Sequence, residues 1–174
     1  MNVVKRDGRT EEFDANKIHE VLFWATKDIK GVSVSDIEIN AKLQVFDGIK
    51  SVNIHQLLIQ SAADLISEDN PNYQIVAANL LNYYLRKQVF GVSDNMPSLL
   101  DVIKKNIKIG VYDPEILEQY TEDELDQLDN YIKHNRDYLF VYAGLQQLVD
   151  KYLLKDRQSN KVYETPQYMY MLIS

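Results

Sequence analysis

The feature that most constrains the fold is a series of four segments in residues 15–90 whose apolar side chains recur with a helical period. Such a period places the apolar side chains along one side of each helix, and that side must be covered by other elements. In the first segment Asp14 can cap a helix that begins near Ala15. Its apolar stripe is Ile18, Val21, Leu22 and Ala25. The four segments together predict a four-helix bundle.

The other three helices of the bundle are delimited by capping and breaking residues. Ser33 or Ser35 can cap the second, which is expected to reach about Phe46. Residues 53–66 and 72–89 are the third and fourth, and the loop before the third is expected to hold Lys50 and Ser51. The apolar side of the second helix consists of Ile37, Ala41 and Val45.

A short β-hairpin is predicted before the first helix. Val3–Lys5 and Thr10–Phe13 read as strands on either side of Asp7-Gly8, and this dipeptide favours a tight turn because glycine accepts positive φ. The hairpin would lie on the bundle as a lid. Residues 1–91 are therefore predicted to form the first domain.

Residues 92–174 are predicted to be a second, helical domain with a small hairpin. Helices are expected at 98–109, 114–119, 122–132 and 135–150, and Thr121 with Glu124 matches a capping box. Residues 152–154 and 161–163 would pair as the hairpin. The fold class is thus mainly α, with small hairpins.

The last predicted helix starts at Thr165-Pro166 and is still apolar at Ile173. An apolar helix without a C-terminal cap normally needs more protein to cover it. We therefore expect a further part of the protein to pack against this helix.

Composition excludes several classes of function. The net charge is −7, which disfavours binding to nucleic acids or anionic membranes. The absence of cysteine excludes disulfides, thiolate chemistry and cysteine-ligated zinc, and His19, His55 and His134 are too far apart in sequence for a metal spacing. No apolar run or leader segment points to a membrane or to export, so a cytoplasmic location is expected.

The basic residues of the first domain suggest a phosphate site. Lys5 and Arg6 adjoin the glycine turn, Lys17 lies on the first helix, and Lys87 follows Arg86 near the end of the fourth helix. Lysine side chains and helix N-termini bind phosphate well. On residue types alone, however, solvated surface lysines are the better interpretation, and neither a Walker loop nor a dinucleotide fingerprint is present.

The segments VVKRDG at 3–8, FDANKI at 13–18, DGIKSVNIH at 47–55 and NLLNYYLRKQVFG at 79–91 resemble an ATP-cone domain. The later segments NRDY at 135–138 and YAGLQQLVDKYLL at 142–154 resemble the helical N-terminal region of class I ribonucleotide reductase large subunits. Together the two resemblances extend over essentially the whole chain.

The resemblance implies that the first domain binds ATP as activator and dATP as inhibitor, with Mg²⁺ and without a tightly bound cofactor. In the family's pattern the backbone around Val3 would contact the base, and Glu11 the sugar or the base. Ser51 would contact a phosphate or a metal-bound water, and His55 would lie near the nucleotide. The phosphates would be bound by Lys5, Arg6, Lys17 and Lys87. Tyr84 departs from the pattern, because a histidine is frequent there, and Trp24 is interpreted as core packing.

Regulation, and not chemistry, is the role that the resemblance implies for this chain. Ribonucleotide reduction in the family requires cysteines, and this chain has none. The expected partners are therefore the reductase barrel and the radical-generating small subunit, in an oligomer that binds neither nucleic acid nor membrane.

Three alternatives remain beside the regulatory role. The cone could be degenerate, leaving the chain as a structural piece of a split reductase. A cone-containing transcriptional repressor would pair the cone with a zinc ribbon, which the absence of cysteine contradicts. A nucleotide hydrolase would need a catalytic loop, and none is recognisable.

Overall fold

The computed structural model describes residues 1–42 and 46–174, and its contacts divide the chain into two compact units. The first comprises residues 1–84 and 140–146, and the second comprises residues 85–139 and 147–174. The two units are groups of residues in mutual contact and are not sequence domains, so the domain boundary predicted between residues 91 and 92 stays a prediction.

The first unit contains the four helices that the apolar periodicity predicts. They are α1 (Ala15–Thr26), α2 (Val34–Lys42), α3 (Ser51–Asp64) and the greater part of α4 (Tyr73–Phe90). Asp14 caps α1 by accepting a hydrogen bond from the Asn16 amide at 2.9 Å, and the Ser33 hydroxyl accepts one from the Asp36 amide. The core is assembled from the apolar sides of all four helices, with Leu22, Ile37, Leu58 and Val76 almost inaccessible to water.

The hairpin is part of a three-stranded sheet. Strand β1 (Asn2–Val4) pairs antiparallel with β2 (Thr10–Glu12), which confirms the predicted hairpin. On its other side β1 pairs in parallel with β3 (Ile49–Lys50), a strand that the sequence did not predict. Lys50 and Ser51 were expected in a loop, and this was wrong, because Lys50 belongs to β3 and Ser51 is the first residue of α3.

The predicted end of the second helix, near Phe46, adjoins residues 43–45, which lie outside the described residues, as does Val45 of its predicted apolar side. Phe46 itself is not helical and its side chain is exposed.

The prediction for Trp24 was wrong. Leu22 and Ala25 form the buried side of α1, whereas Trp24 lies outside this stripe and is 39% exposed.

The second unit contains further helices of the chain. These are α5 (Leu99–Lys108), α6 (Glu115–Gln119), α7 (Glu122–Asp129) and α9 (Pro166–Ile173); α8 (Tyr142–Gln147) lies almost wholly in the first unit. The capping box is confirmed, because the Thr121 hydroxyl accepts from the Glu124 amide while the Glu124 carboxylate accepts from the Thr121 amide. Helix α5 packs on α7 around a core that includes Ile103 and Tyr168.

The single helix predicted for residues 135–150 is instead three segments. A 3₁₀ segment (His134–Leu139) is followed by α8 and then by a π-helical turn (Leu148–Tyr152). The first break consists of residues 140 and 141, and the second falls after Gln147.

The second hairpin is only partly formed. Lys155 and Val162 make a single antiparallel bridge, because the Asp156 carboxylate binds the amides of Gln158 and Ser159 and closes the chain into a tight turn. Across the described residues, no helix is long and apolar enough to cross a membrane. The mainly α fold with a small sheet is confirmed.

Candidate functional site

The turn of the first hairpin presents two neighbouring cations, Lys5 and Arg6. The turn is closed by hydrogen bonds from the Gly8 amide to the Lys5 carbonyl at 3.0 Å and from the Lys5 amide to the Arg9 carbonyl at 2.8 Å. Gly8 has a φ of +85°, which residues with a side chain rarely adopt. The two cationic side chains are attached to neighbouring Cα atoms, which are about 3.8 Å apart.

Glu11 connects the turn with the first helix. Its carboxylate lies 3.2 Å from the Lys5 ammonium and 3.6 Å from that of Lys17. The hydrogen bond from Lys5 is the main reason that the pKa of Glu11 is below its usual value. Two lysines therefore converge on one anionic group, as they would on a phosphate. These are exposed ion pairs, and a bound anion can displace such a carboxylate at small cost.

The parallel strand β3 brings the start of α3 to the same end of the sheet as Lys5. Val4 of β1 is paired with Lys50 of β3, and the next residues are Lys5 and Ser51. Lys50 precedes the 14-residue helix α3 without a capping hydrogen bond from its side chain. The N-terminus of α3, with the Ser51 hydroxyl in its first turn, therefore has the polarity that suits a phosphate.

A row of aromatic rings borders the other side of these groups. His55, one turn after Ser51 on α3, has its ring centroid 6.2 Å from that of Tyr84 and 5.5 Å from that of Tyr83 on α4. The ring of Trp24 lies 5.6 Å from Tyr83. The Arg6 guanidinium carbon lies 5.6 Å from the centroid of the Tyr84 ring, within the range of a cation–π contact.

These contacts and the strand register bring the groups into one region of the first unit. Lys5 and Arg6 are adjacent, Arg6 lies over Tyr84, and Tyr84 neighbours His55. His55 and Ser51 lie on the same side of α3, four residues apart. Because Val4 is paired with Lys50, the following residues Lys5 and Ser51 leave the sheet at the same end. We call the set Lys5, Arg6, Glu11, Lys17, Ser51, His55 and Tyr84 the cone circuit.

Two predicted site residues lie outside the cone circuit. Val3 is the buried centre of β1 and is paired with Glu11, so its backbone adjoins the circuit. Lys87 lies on α4, three residues after Tyr84, and belongs to the second unit. Its contact with phosphate stays a prediction.

Sequence reasoning did not identify Tyr84 as a partner of Arg6. It recognised only a departure from the family pattern, and it did not single out Tyr83. No local signal could have shown the contact of Tyr84 with Arg6 or that of Tyr83 with Trp24, because these partners are far apart in the chain. In addition, α4 carries apolar residues on most of its sides.

A cavity of the first unit lies apart from these residues. It has a volume of about 400 Å³, and its lining includes Met1, Phe13, His19 and Glu38 but none of the predicted site residues that the structure describes. Its walls are mainly apolar, and the His19 and Glu38 side chains are 3.0 Å apart. A triphosphate needs cations, so we do not place the nucleotide there.

No protein metal site supports a resident Mg²⁺. Within the described ranges, no group of three or more histidine, aspartate or glutamate side chains could hold a metal ion. The one carboxylate of the cone circuit is already paired with lysines. The described residues therefore do not fit a resident Mg²⁺.

Comparison with known proteins matches both parts of the chain. Residues 1–88 match the family model of the ATP cone domain, and residues 138–174 match that of the ribonucleotide reductase all-alpha domain. The chain is 45% identical over 172 residues to the ribonucleoside-diphosphate reductase 1 subunit alpha of Salmonella typhimurium and 44% identical to that of Escherichia coli. It is 41% identical over 175 residues to the ribonucleoside-diphosphate reductase subunit alpha of Enterobacteria phage T4.

These matches include 99% of this chain but only 22% or 23% of each relative, so the chain spans less than a quarter of their length. The region of similarity is the N-terminal, cone-bearing part of the reductase subunits. Since the cone match alone accounts for 88 of the 174 residues, the chain belongs to the ATP-cone family, here combined with a ribonucleotide reductase all-alpha domain.

Proposed function

We propose that the first unit binds ATP and dATP at the cone circuit and that this binding regulates ribonucleotide reduction. The observation that carries the proposal is the cone circuit, in which the contacts of three cations, the ring of Tyr84 and the register that brings the N-terminus of α3 beside Lys5 occur in one region of the first unit. Cations and a helix N-terminus bind phosphates, and an aromatic ring or a backbone edge can contact the nucleoside.

Five residues of the cone circuit have a proposed role in binding the nucleotide. Lys5, Arg6 and Lys17 bind phosphate oxygens, and the Ser51 hydroxyl and the first amides of α3 complete their coordination. Glu11 gives up its lysine contacts when the nucleotide enters. Because it lies opposite Val3 in the hairpin, it can then accept a hydrogen bond from the sugar or the base.

Regulation follows from linkage. A nucleotide changes an equilibrium between two states only by binding one of them more tightly than the other. ATP and dATP differ by one hydroxyl, so the hairpin strands and the first turn of α1 must distinguish this group. The reductase barrel and the radical-generating small subunit are the proposed partners that respond, and Mg²⁺ would enter with the phosphates.

Calorimetric titration of the folded chain with Mg·ATP and with Mg·dATP tests the proposal. We expect saturable binding that Lys5→Gln weakens about ten- to a hundredfold, because a charged hydrogen bond to phosphate is lost. Lys27→Gln is the matched control, since Lys27 is an exposed lysine of the same unit at the far end of α1. It should bind like the parent.

Equal loss in both lysine variants would mean that general surface charge, and not the cone circuit, attracts the nucleotide. Binding of neither nucleotide by the folded chain would refute the proposal and would favour the structural alternative, in which the cone is retained without its regulatory function.

A further inference from the structure

Arg6 differs from the other cations of the hairpin and first helix in having no carboxylate partner. Lys5 and Lys17 share Glu11, and Arg9 is paired with Asp7 at 2.7 Å. For Arg6, the part of the chain that the structure describes contains no ion pair, and the contact of its guanidinium is with the Tyr84 ring. Among the described side chains, no carboxylate therefore neutralises its positive charge.

Tyr84 is a firm support for this flexible side chain. It is half-buried on α4, packs against the core of the first unit and has the His55 ring beside it. Arg6 comes from a turn and is largely exposed, so without a platform its guanidinium would sample many rotamers. Partial burial against the rings lowers the pKa of Arg6, and Tyr84 and Tyr83 oppose this effect.

We infer that Tyr84 is a positioning residue, which holds the Arg6 guanidinium ready for the nucleotide phosphates and itself contacts neither sugar nor base. The inference rests on the proposed function and adds a specific consequence. ATP and dATP carry the same phosphates, so Tyr84 sets the strength of binding for both nucleotides and does not affect the discrimination between them.

A mutant cycle measures this role. ATP and dATP are titrated into the parent chain, Tyr84→Phe, Tyr84→Leu, Arg6→Gln and the double variant of Arg6→Gln with Tyr84→Leu. Tyr84→Leu should weaken both nucleotides by the same factor of about two to five, which corresponds to an exposed cation–π contact. Tyr84→Phe keeps the ring face and should bind like the parent. In the Arg6→Gln background the leucine should have no further effect.

Three results would overturn the inference. A change in the ratio of ATP to dATP affinity would show that Tyr84 contacts the nucleoside. A loss in Tyr84→Phe equal to that in Tyr84→Leu would assign the effect to the hydroxyl. An equal loss with and without Arg6 would show that Tyr84 acts through the general packing of α4.

The position of the guanidinium can also be observed without nucleotide. The side-chain Nε–H resonance of Arg6 should show a ring-current shift in the parent and in Tyr84→Phe, and Tyr84→Gln, a milder polar replacement, should remove it. A resonance unaffected by Tyr84→Gln would contradict the inference even if Tyr84→Leu does not fold.

If the parent binds neither nucleotide, the proposed function and this inference both fail. If it binds both and the loss of the Tyr84 ring changes nothing, only the inference fails.

Discussion

Replacing Arg86 by methionine should destabilise the second unit severely. Arg86 is 5% exposed, and its Nη1 donates to the Tyr138 hydroxyl at 3.0 Å while Nη2 donates to the His134 carbonyl at 2.5 Å. Nη2 also lies 3.6 Å from a carboxylate oxygen of Asp137, which is 1% exposed. Methionine fills most of the volume and makes none of these contacts.

The magnitude follows from what the substitution leaves behind. Two hydrogen bonds from a charged donor contribute about 1.5–3 kcal/mol each. Asp137 loses its cation but still accepts a hydrogen bond from Gln167 at 2.9 Å, which limits the loss. Breaking a buried ion pair on one side costs about 3–5 kcal/mol, and we expect Arg86→Met to fall in this range.

Urea unfolding followed by circular dichroism measures the effect. A loss of this size moves the midpoint by about 1–3 M urea. Arg136→Met is the matched control, because Arg136 is an exposed arginine of the neighbouring 3₁₀ segment and its removal should change stability by less than about 0.5 kcal/mol.

The loss should also depend on pH with a definite sign. Burial raises the folded-state pKa of Asp137, and the Arg86 charge opposes the rise, so removing Arg86 raises that pKa further. A carboxyl group with a raised folded-state pKa stabilises the fold at pH values below its unfolded-state pKa of about 3.8. This stabilisation is lost as the pH rises through the folded-state pKa. The deficit of Arg86→Met should therefore be larger at pH 7 than near pH 4. An unchanged deficit, or one no larger than that of Arg136→Met, would refute the reasoning.

Three further substitutions test the local structure, each by urea or thermal unfolding. Thr121→Ala removes the capping box of α7 and should cost about 1 kcal/mol, whereas Thr121→Ser should restore most of it. Asp14→Ala removes the cap of α1 and should also cost about 1 kcal/mol, with Asp14→Asn as the conservative control. Tyr112→Phe deletes a 2.8 Å hydrogen bond to the buried Glu164 carboxyl and should cost about 1–3 kcal/mol. Because burial raises the pKa of Glu164, that loss should diminish in acid as the carboxyl becomes protonated. No difference from the parent would contradict each expectation.

The parts of the fold that could be predicted are those determined by neighbours in sequence. The helical stripe of Leu22 and Ala25, the cap at Asp14 and the capping box at Thr121 all depend on residues a few positions apart. The hairpin turn at Gly8 is equally local. For this reason α1 begins at Ala15 as predicted, and the predicted α3, α4 and α5 differ from the observed helices by no more than two residues at either end.

The parts that could not be predicted depend on distant partners. Strand β3 has two residues, too few for any periodic signal, and forms only because β1 is available beside it. In the cone circuit, the residue types of Lys5 and Lys17 could be named, but the contact of Arg6 with Tyr84 spans 78 positions and required the structure.

The parallel pairing of β1 with β3 restricts how the chain can vary in length. Ile49 is 1% exposed and Lys50 is exposed, so one residue inserted or deleted between Gly48 and Ser51 would exchange their faces and shift the start of α3. Among natural variants of this domain, insertions and deletions should therefore be absent from the two-residue strand.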